Sequence, residues 1–235
     1  MQPKHIPALS GATAVAVLSL SGAVSAAQTT PAGGTTVTVR IEGRMHTLLA
    51  PTKVHTHAGS ITTSGAPRGA CPATSAAGAL DVATHHGFSG PFSASLKDYF
   101  ITRILGELES GKTYFWEIFA DNVPAQTGAC EIKLHSGEQL LFAAVPTKGT
   151  EHPTALSGPN RARAGHPFAV RLMFFDAKGR SKPLAGGRVY GAGVSSVTNH
   201  RGIARIVEPH AGSLVLHATP SGYIRAAPVR VRVIR

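Results

Sequence analysis

From Phe168 to Ile234, short runs in which apolar and polar residues alternate are separated by Gly, Pro and Asn, and none carries the period of a helix. Alternation with period two turns one side of each run toward a core and the other toward water, as in a half-buried strand. The runs at 168–175, 188–191, 194–198, 203–207, 213–218 and 227–234 follow one another at short intervals. Evenly spaced short strands with no helix between them predict an antiparallel β-sandwich over 164–235.

Upstream the pattern is mixed. Residues 27–36 are small and turn-prone and read as a flexible leader. Val37, Val39 and Ile41 alternate with polar neighbours, and a second strand over 47–55 completes a hairpin. A loop rich in Gly, Ser, Thr and Pro covers 58–75. Residues 75–86 predict one short helix, with Ser75 to cap it and Gly87 to end it. A β run over 99–105, an aromatic strand over 114–119, a turn at Asp121 and Asn122, and strands over 130–134 and 139–145 complete this part. Residues 147–163 have linker composition. The expected fold class is therefore mainly β: a small α+β domain over 37–146 with one short helix, then the sandwich.

The beginning of the chain sets its expected destination. Lys4 and His5 precede an apolar run from Ala8 to Val24, and Val24 and Ala26 occupy the two recognition positions for cleavage after Ala26. Cleavage after Ala27 fits as well. The run is broken by Ser10, Ser19, Ser21 and Gly22 and falls short of the ~20 residues of a membrane span. Residues 1–26 thus read as a signal peptide and the protein as secreted. With no cysteine near the cleavage site and no apolar stretch leading to Val233, Ile234 and Arg235, no anchor is expected. Two cysteines, Cys71 and Cys130, then suit a disulfide in an oxidising compartment.

Charge is divided sharply. From Ala27 to Pro146 there are 8 Lys and Arg against 9 Asp and Glu; from Thr147 to Arg235 there are 14 against 3. Arg230 and Arg232 alternate with Val229, Val231 and Val233, so both guanidinium groups should leave one strand face. With Arg225 and Arg235 they suggest a cationic stripe for polyanions such as an anionic cell-envelope polymer, acidic headgroups or extracellular nucleic acid, or for a protein surface. The plainer reading is a solvated face that keeps an edge strand from aggregating. Without aromatic residues interleaved among the arginines, nucleic acid is not the expected partner.

Two resemblances follow from the motifs. Ala79-Leu80-Asp81, Tyr99-Phe100-Ile101 before Ile104-Leu105-Gly106, the strand Tyr114 to Phe119, Asn122, Thr127-Gly128-Ala129-Cys130, Leu134, Gly137-Glu138 and Leu141-Phe142 occur in an order that resembles the transcobalamin-like carboxy-terminal domain. That is a small α+β module of secreted bacterial proteins. Pro183-Leu184-Ala185-Gly186-Gly187-Arg188-Val189, then Val197-Thr198-Asn199 with Gly202-Ile203-Ala204, and Gly222-Tyr223-Ile224-Arg225 resemble a bacterial immunoglobulin-like module, with Asn199 in place of the commoner Asp. Both sets report fold rather than chemistry. In vitamin-carrying relatives of the first module such a domain closes over cobalamin with a large helical partner, and no such partner occurs in this sequence.

Chemical signatures are weak. His55 with His57 on a strand, and the pair His85-His86, bring to mind a metal, but no Cys, Asp or Glu completes a set and solvated surface is the simpler reading. H-E-x-x-H, G-x-S-x-G, a phosphate-cradling Gly loop and C-x-x-C do not occur. Glu107 and Glu109 could share a strand face, but solvated charge is much the simpler reading. Tyr114, Trp116 and Ile118 should face one way and Phe115, Glu117 and Phe119 the other, as core packing requires. The expected function is non-enzymatic surface recognition at or near the cell envelope, without metal or cofactor. Capture of a cobalamin-like small ligand by the aromatic domain and an extracellular hydrolase are the alternatives.

Overall fold

A computed structural model describes residues 33–149 and 151–235. The signal segment with its cleavage position at Ala26, and most of the leader over 27–36, lie outside the described residues. The fold is mainly β with one α-helix. Strands of three residues or more are numbered in chain order.

The first half is built on a mixed sheet. Strands β1 (Thr36–Glu42), β2 (Thr47–His55), β3 (Tyr114–Ala120) and β4 (Gln139–Pro146), with the short strand Val123–Pro124, lie in the order Val123–Pro124, β3, β4, β1, β2. β1 and β4 are parallel and the other pairs antiparallel. β4 buries residues of both parities, so the middle of the sheet is covered on both faces. Val37, Val39 and Ile41 join Leu140, Phe142 and Trp116 on the side of helix α1 (Ala76–Thr84), in one core. Residues of opposite parity, Phe119, Leu141, Ala143 and Val145, form a second cluster together with Ile224 of the other half.

Helix α1 begins as expected: the Ser75 side chain accepts a hydrogen bond from Gly78 N (3.3 Å). It ends two residues before Gly87, at His85 in the left-handed conformation (φ 53°). The run over 99–105 is not one strand. It divides into the pairs Asp98–Tyr99 and Arg103–Ile104, and Leu105 and Gly106 both turn with positive φ (46° and 88°). Nor is 130–134 a strand. Its backbone is committed elsewhere: Cys130 N donates to the buried Asp98 carboxylate (3.0 Å), and Ile132 O accepts from Ala76 N at the start of α1 (3.3 Å).

The second half contains two sheets around one core. Strands β5 (Thr154–Ser157), β7 (Pro167–Phe175) and β8 (Ser181–Pro183) form one with β11 (Ile203–Val207), which pairs with β7. The other has the order β6 (Arg161–Arg163), β13 (Val229–Ile234), β12 (Gly212–Ala218), β9 (Arg188–Gly191), β10 (Val194–Val197). Leu172, Ile206, Leu214, Leu216, Val231 and Val233 from both sheets meet in a single cluster. The stretch 147–163, expected as a linker, carries β5 and β6. Its Gly and Pro residues end strands rather than loosen the chain, and both halves belong to one compact unit.

The turn before β11 shows why Asn199 serves there. Its Oδ1 accepts from Arg201 N (2.9 Å) and Ile203 N (3.1 Å), while Gly202 takes φ 70° and donates to Asn199 O (2.8 Å). A Cβ on Gly202 would lie 2.4 Å from Leu172 O. Gly202→Ala is expected to cost about 1–2 kcal/mol for the left-handed conformation alone, more once β7 must shift, and a urea titration would measure it.

Candidate functional site

On β13, Val231 and Val233 are buried and point into the core, so Arg230 and Arg232 leave the opposite face and are exposed. The neighbouring strands extend that face. β6 runs parallel to β13 with Arg161 beside Arg232 and Arg163 beside Ile234. On the far side, Ser213 lies opposite Arg232, and Arg230 Nη1 donates to Ser213 Oγ (3.0 Å). Farther along the sheet Tyr190 pairs with His217, their rings stacked with centroids 5.8 Å apart, and Arg188 lies over the Tyr190 ring at 6.0 Å. An open depression of about 590 Å³ is bounded by Ser213, Arg230, Arg232 and Arg235.

The electrostatics of this face are one-sided. The second half has three carboxylates, Glu151, Asp176 and Glu208, and none belongs to the five strands of this sheet. Asp176 is engaged by Arg180 (2.8 Å) and Lys182 (3.2 Å), which hold its carboxyl well below the usual range. Glu208 is buried and accepts from His210 N (3.0 Å). Among the described residues no ion pair involves Arg161, Arg163, Arg188, Arg230, Arg232 or Arg235. Like charges directly opposite one another weaken a sheet, so Arg161 beside Arg232 is a local cost that folding does not require.

Arg225 does not belong to this face. It reaches into the first half, where Nε donates to Glu42 Oε2 (3.1 Å), Nη1 to Arg44 O (3.2 Å) and Nη2 to Gly43 O. It precedes β13 in an irregular segment, so alternation does not fix its direction. Arg161, Arg163 and Arg188 take the place Arg225 was expected to fill. The pattern Arg161-Ala162-Arg163 repeats that of Arg230-Val231-Arg232, but linker composition around it obscured the signal. Tyr190 and His217 come together only through the β9–β12 pairing, which no local pattern announces.

The remaining candidates lie apart. Cys71 and Cys130 form a disulfide. His55 Nδ1 bonds Thr36 Oγ1 (3.0 Å), His57 Nδ1 bonds Ala58 O (3.0 Å), His85 ends α1, and His86 Nδ1 meets the buried Asp81 carboxylate at 2.8 Å. Glu107 Oε1 accepts from Arg44 N (2.8 Å) and Glu109 lies beyond its two-residue strand, so the two do not share a strand face. Trp116 packs inward, while Phe115 on the opposite face is 40% exposed. Among the described residues no helix is long and apolar enough to cross a membrane, and no three His, Cys, Asp or Glu side chains gather as a metal site would need. Neither a family model nor a curated protein matches the chain.

Proposed function

We propose that this is a secreted, non-catalytic binding protein whose arginine face holds an anionic polymer of the cell envelope. The observation that carries the reading is the set of exposed, unpaired arginines on β6, β13 and β9 with no carboxylate among them. Neighbouring strands lie about 5 Å apart and alternate residues of one strand about 7 Å apart. Arg161, Arg230 and Arg232 therefore form a grid of positive charge at the scale of successive phosphates in a polyol-phosphate chain. The guanidinium fork suits such oxyanions. A sheet surface also supplies this grid without a deep pocket, as recognition of a repeating polymer requires.

The test is binding of purified polyglycerol phosphate by the secreted protein across a salt series. Four phosphate contacts imply an affinity loss of about 10²-fold between 50 and 200 mM salt, if the polymer behaves like other strongly charged polyanions. Combining Arg161→Ala, Arg163→Ala, Arg230→Ala and Arg232→Ala should flatten that slope and leave stability equal or higher, because repulsion across the β6–β13 pair disappears. Salt-insensitive binding, or retention of it in the quadruple variant, would overturn the proposal. Tighter binding of a single-stranded oligonucleotide than of polyglycerol phosphate would move the assignment to nucleic acid, with Tyr190 and His217 as the stacking platform.

A further inference from the structure

Thr38, Arg40 and Glu42 alternate along β1 on the face turned away from α1, and they border the junction with the second half. There a cleft of about 290 Å³ is lined by Thr38, Arg40 and Gln139 on one side and Thr154, Leu156 and Phe175 on the other. Its position between two packed halves is a common one for small-ligand sites, and its volume lies at the small end of their range.

Two features at the edge of this cleft leave Arg40 open to an incoming anion. The first is charge. Glu42, 2% exposed, receives both Arg225 Nε (3.1 Å) and Arg40 Nη1 (3.2 Å); Glu151 also acts on Arg225, so Arg40 has a share of one carboxylate and no second acid of its own. Arg40 is 9% exposed, and burial pushes its pKa down despite the pull of Glu42. The second is hydrogen bonding. Both hydrogen bonds of the Arg40 side chain, to Glu42 and to Arg225 O (2.7 Å), leave from Nη1. Among the described residues Nε and Nη2 donate to nothing, although together they present a planar edge matched to a carboxylate. Neither nitrogen is a fully buried atom, so this edge is open to solvent at the cleft, where an incoming carboxylate can meet it.

We infer that this cleft binds a small organic carboxylate, with the Nε and Nη2 edge of Arg40 taking the carboxylate and Pro51, Leu141, Leu156 and Phe175 covering an apolar body. The polar rim of Thr38 and Gln139 limits that body to a compact one. This site is separate from the arginine face and does not depend on it.

Benzoate is the probe, with benzamide as its uncharged counterpart and sulfate as a control for ionic strength, each titrated into the disulfide-bonded secreted protein and followed by amide chemical shifts and melting temperature. Benzoate should saturate in the millimolar range and raise the melting temperature, whereas benzamide and sulfate should not. Arg40→Lys, which keeps the charge but removes the fork, should weaken benzoate at least 10-fold. Gln139→Trp, at an exposed rim position, should do likewise by obstructing the cleft while leaving Arg40 intact, so the test survives poor folding of the first variant. Equal responses to benzoate and benzamide, a matching response to sulfate, or undiminished benzoate binding in Gln139→Trp would overturn the site. The quadruple variant of the arginine face should bind benzoate normally, which separates failure of this inference from failure of polymer binding.

Discussion

Glu42→Ala is expected to destabilise the protein by about 3–5 kcal/mol, the scale for removing one partner of a buried ion pair. The reason is the arrangement at the junction of the halves. Glu42 is 2% exposed, and its carboxylate also accepts from Thr47 Oγ1 (2.9 Å). Without it Arg40 and Arg225 face each other as two poorly solvated like charges. Arg225→Ala should cost less, because Arg40 and Glu42 remain as a balanced pair, even though Gly43 O and Arg44 O lose their donor. That ordering separates an electrostatic role from simple packing. If only contact area mattered, loss of the longer Arg225 side chain would be the more damaging change. Replacing all three residues with apolar ones of similar size should restore most of the stability, as buried ion clusters elsewhere do.

Chemical denaturation followed by two probes would measure this. Trp116, the one tryptophan, sits in the core of the first half and reports that half by fluorescence, while circular dichroism reports strands of both. In the parent protein the two transitions should coincide, because Ile224 is buried in a cluster with Phe119, Leu141, Ala143 and Val145 of the first sheet. In Glu42→Ala they should separate. A Glu42→Ala variant no less stable than Arg225→Ala would show that the cluster is not governed by charge balance.

The parts of this fold legible from sequence are those where a local pattern and the final environment agree. β1 alternates polar and apolar residues, β4 is a continuous apolar run because both its faces are covered, and Ser75 caps α1 through its own side chain. Alternation over 229–234 was enough to place Arg230 and Arg232 on one face. What escaped depended on partners distant in sequence. The segment 130–134 has the apolar content of a strand, yet Asp98 and the start of α1 take its backbone groups. Strands β5 and β6 hide among Gly and Pro residues that happen to end strands. Arg225 looks like its arginine neighbours until Glu42, 183 positions away, is placed beside it. Of the arginine face, the β13 half was readable; the β6 and β9 contributions required knowing which strands are adjacent.

Replacing both Cys71 and Cys130 with alanine is expected to cost about 4 kcal/mol at most, from the loop entropy restored to the unfolded chain when a bridge across 59 positions is lost. The local structure indicates where the effect should concentrate. The bridge joins the residues just before α1 to the irregular segment before β4, and both sulfur-bearing residues are buried. That segment has little ladder pairing of its own. It is held by one isolated bridge between Ser75 and Lys133, by Ala77 N donating to Ala129 O (3.0 Å), and by the Asp98 carboxylate on Cys130 N. Burial raises the pKa of Asp98 while the backbone donors of Tyr99 and Cys130 oppose that shift, so loosening the segment also removes part of what keeps this carboxylate ionised. Hydrogen exchange should therefore rise first over 125–134 and at the start of α1, while β12 and β13, which lie outside the bridged loop, keep their protection. Thiol reduction of the parent protein should reproduce the same pattern. Uniform loss of protection across both halves, with no earlier rise over 125–134, would mean that the bridge acts through the unfolded chain alone and fixes no particular segment.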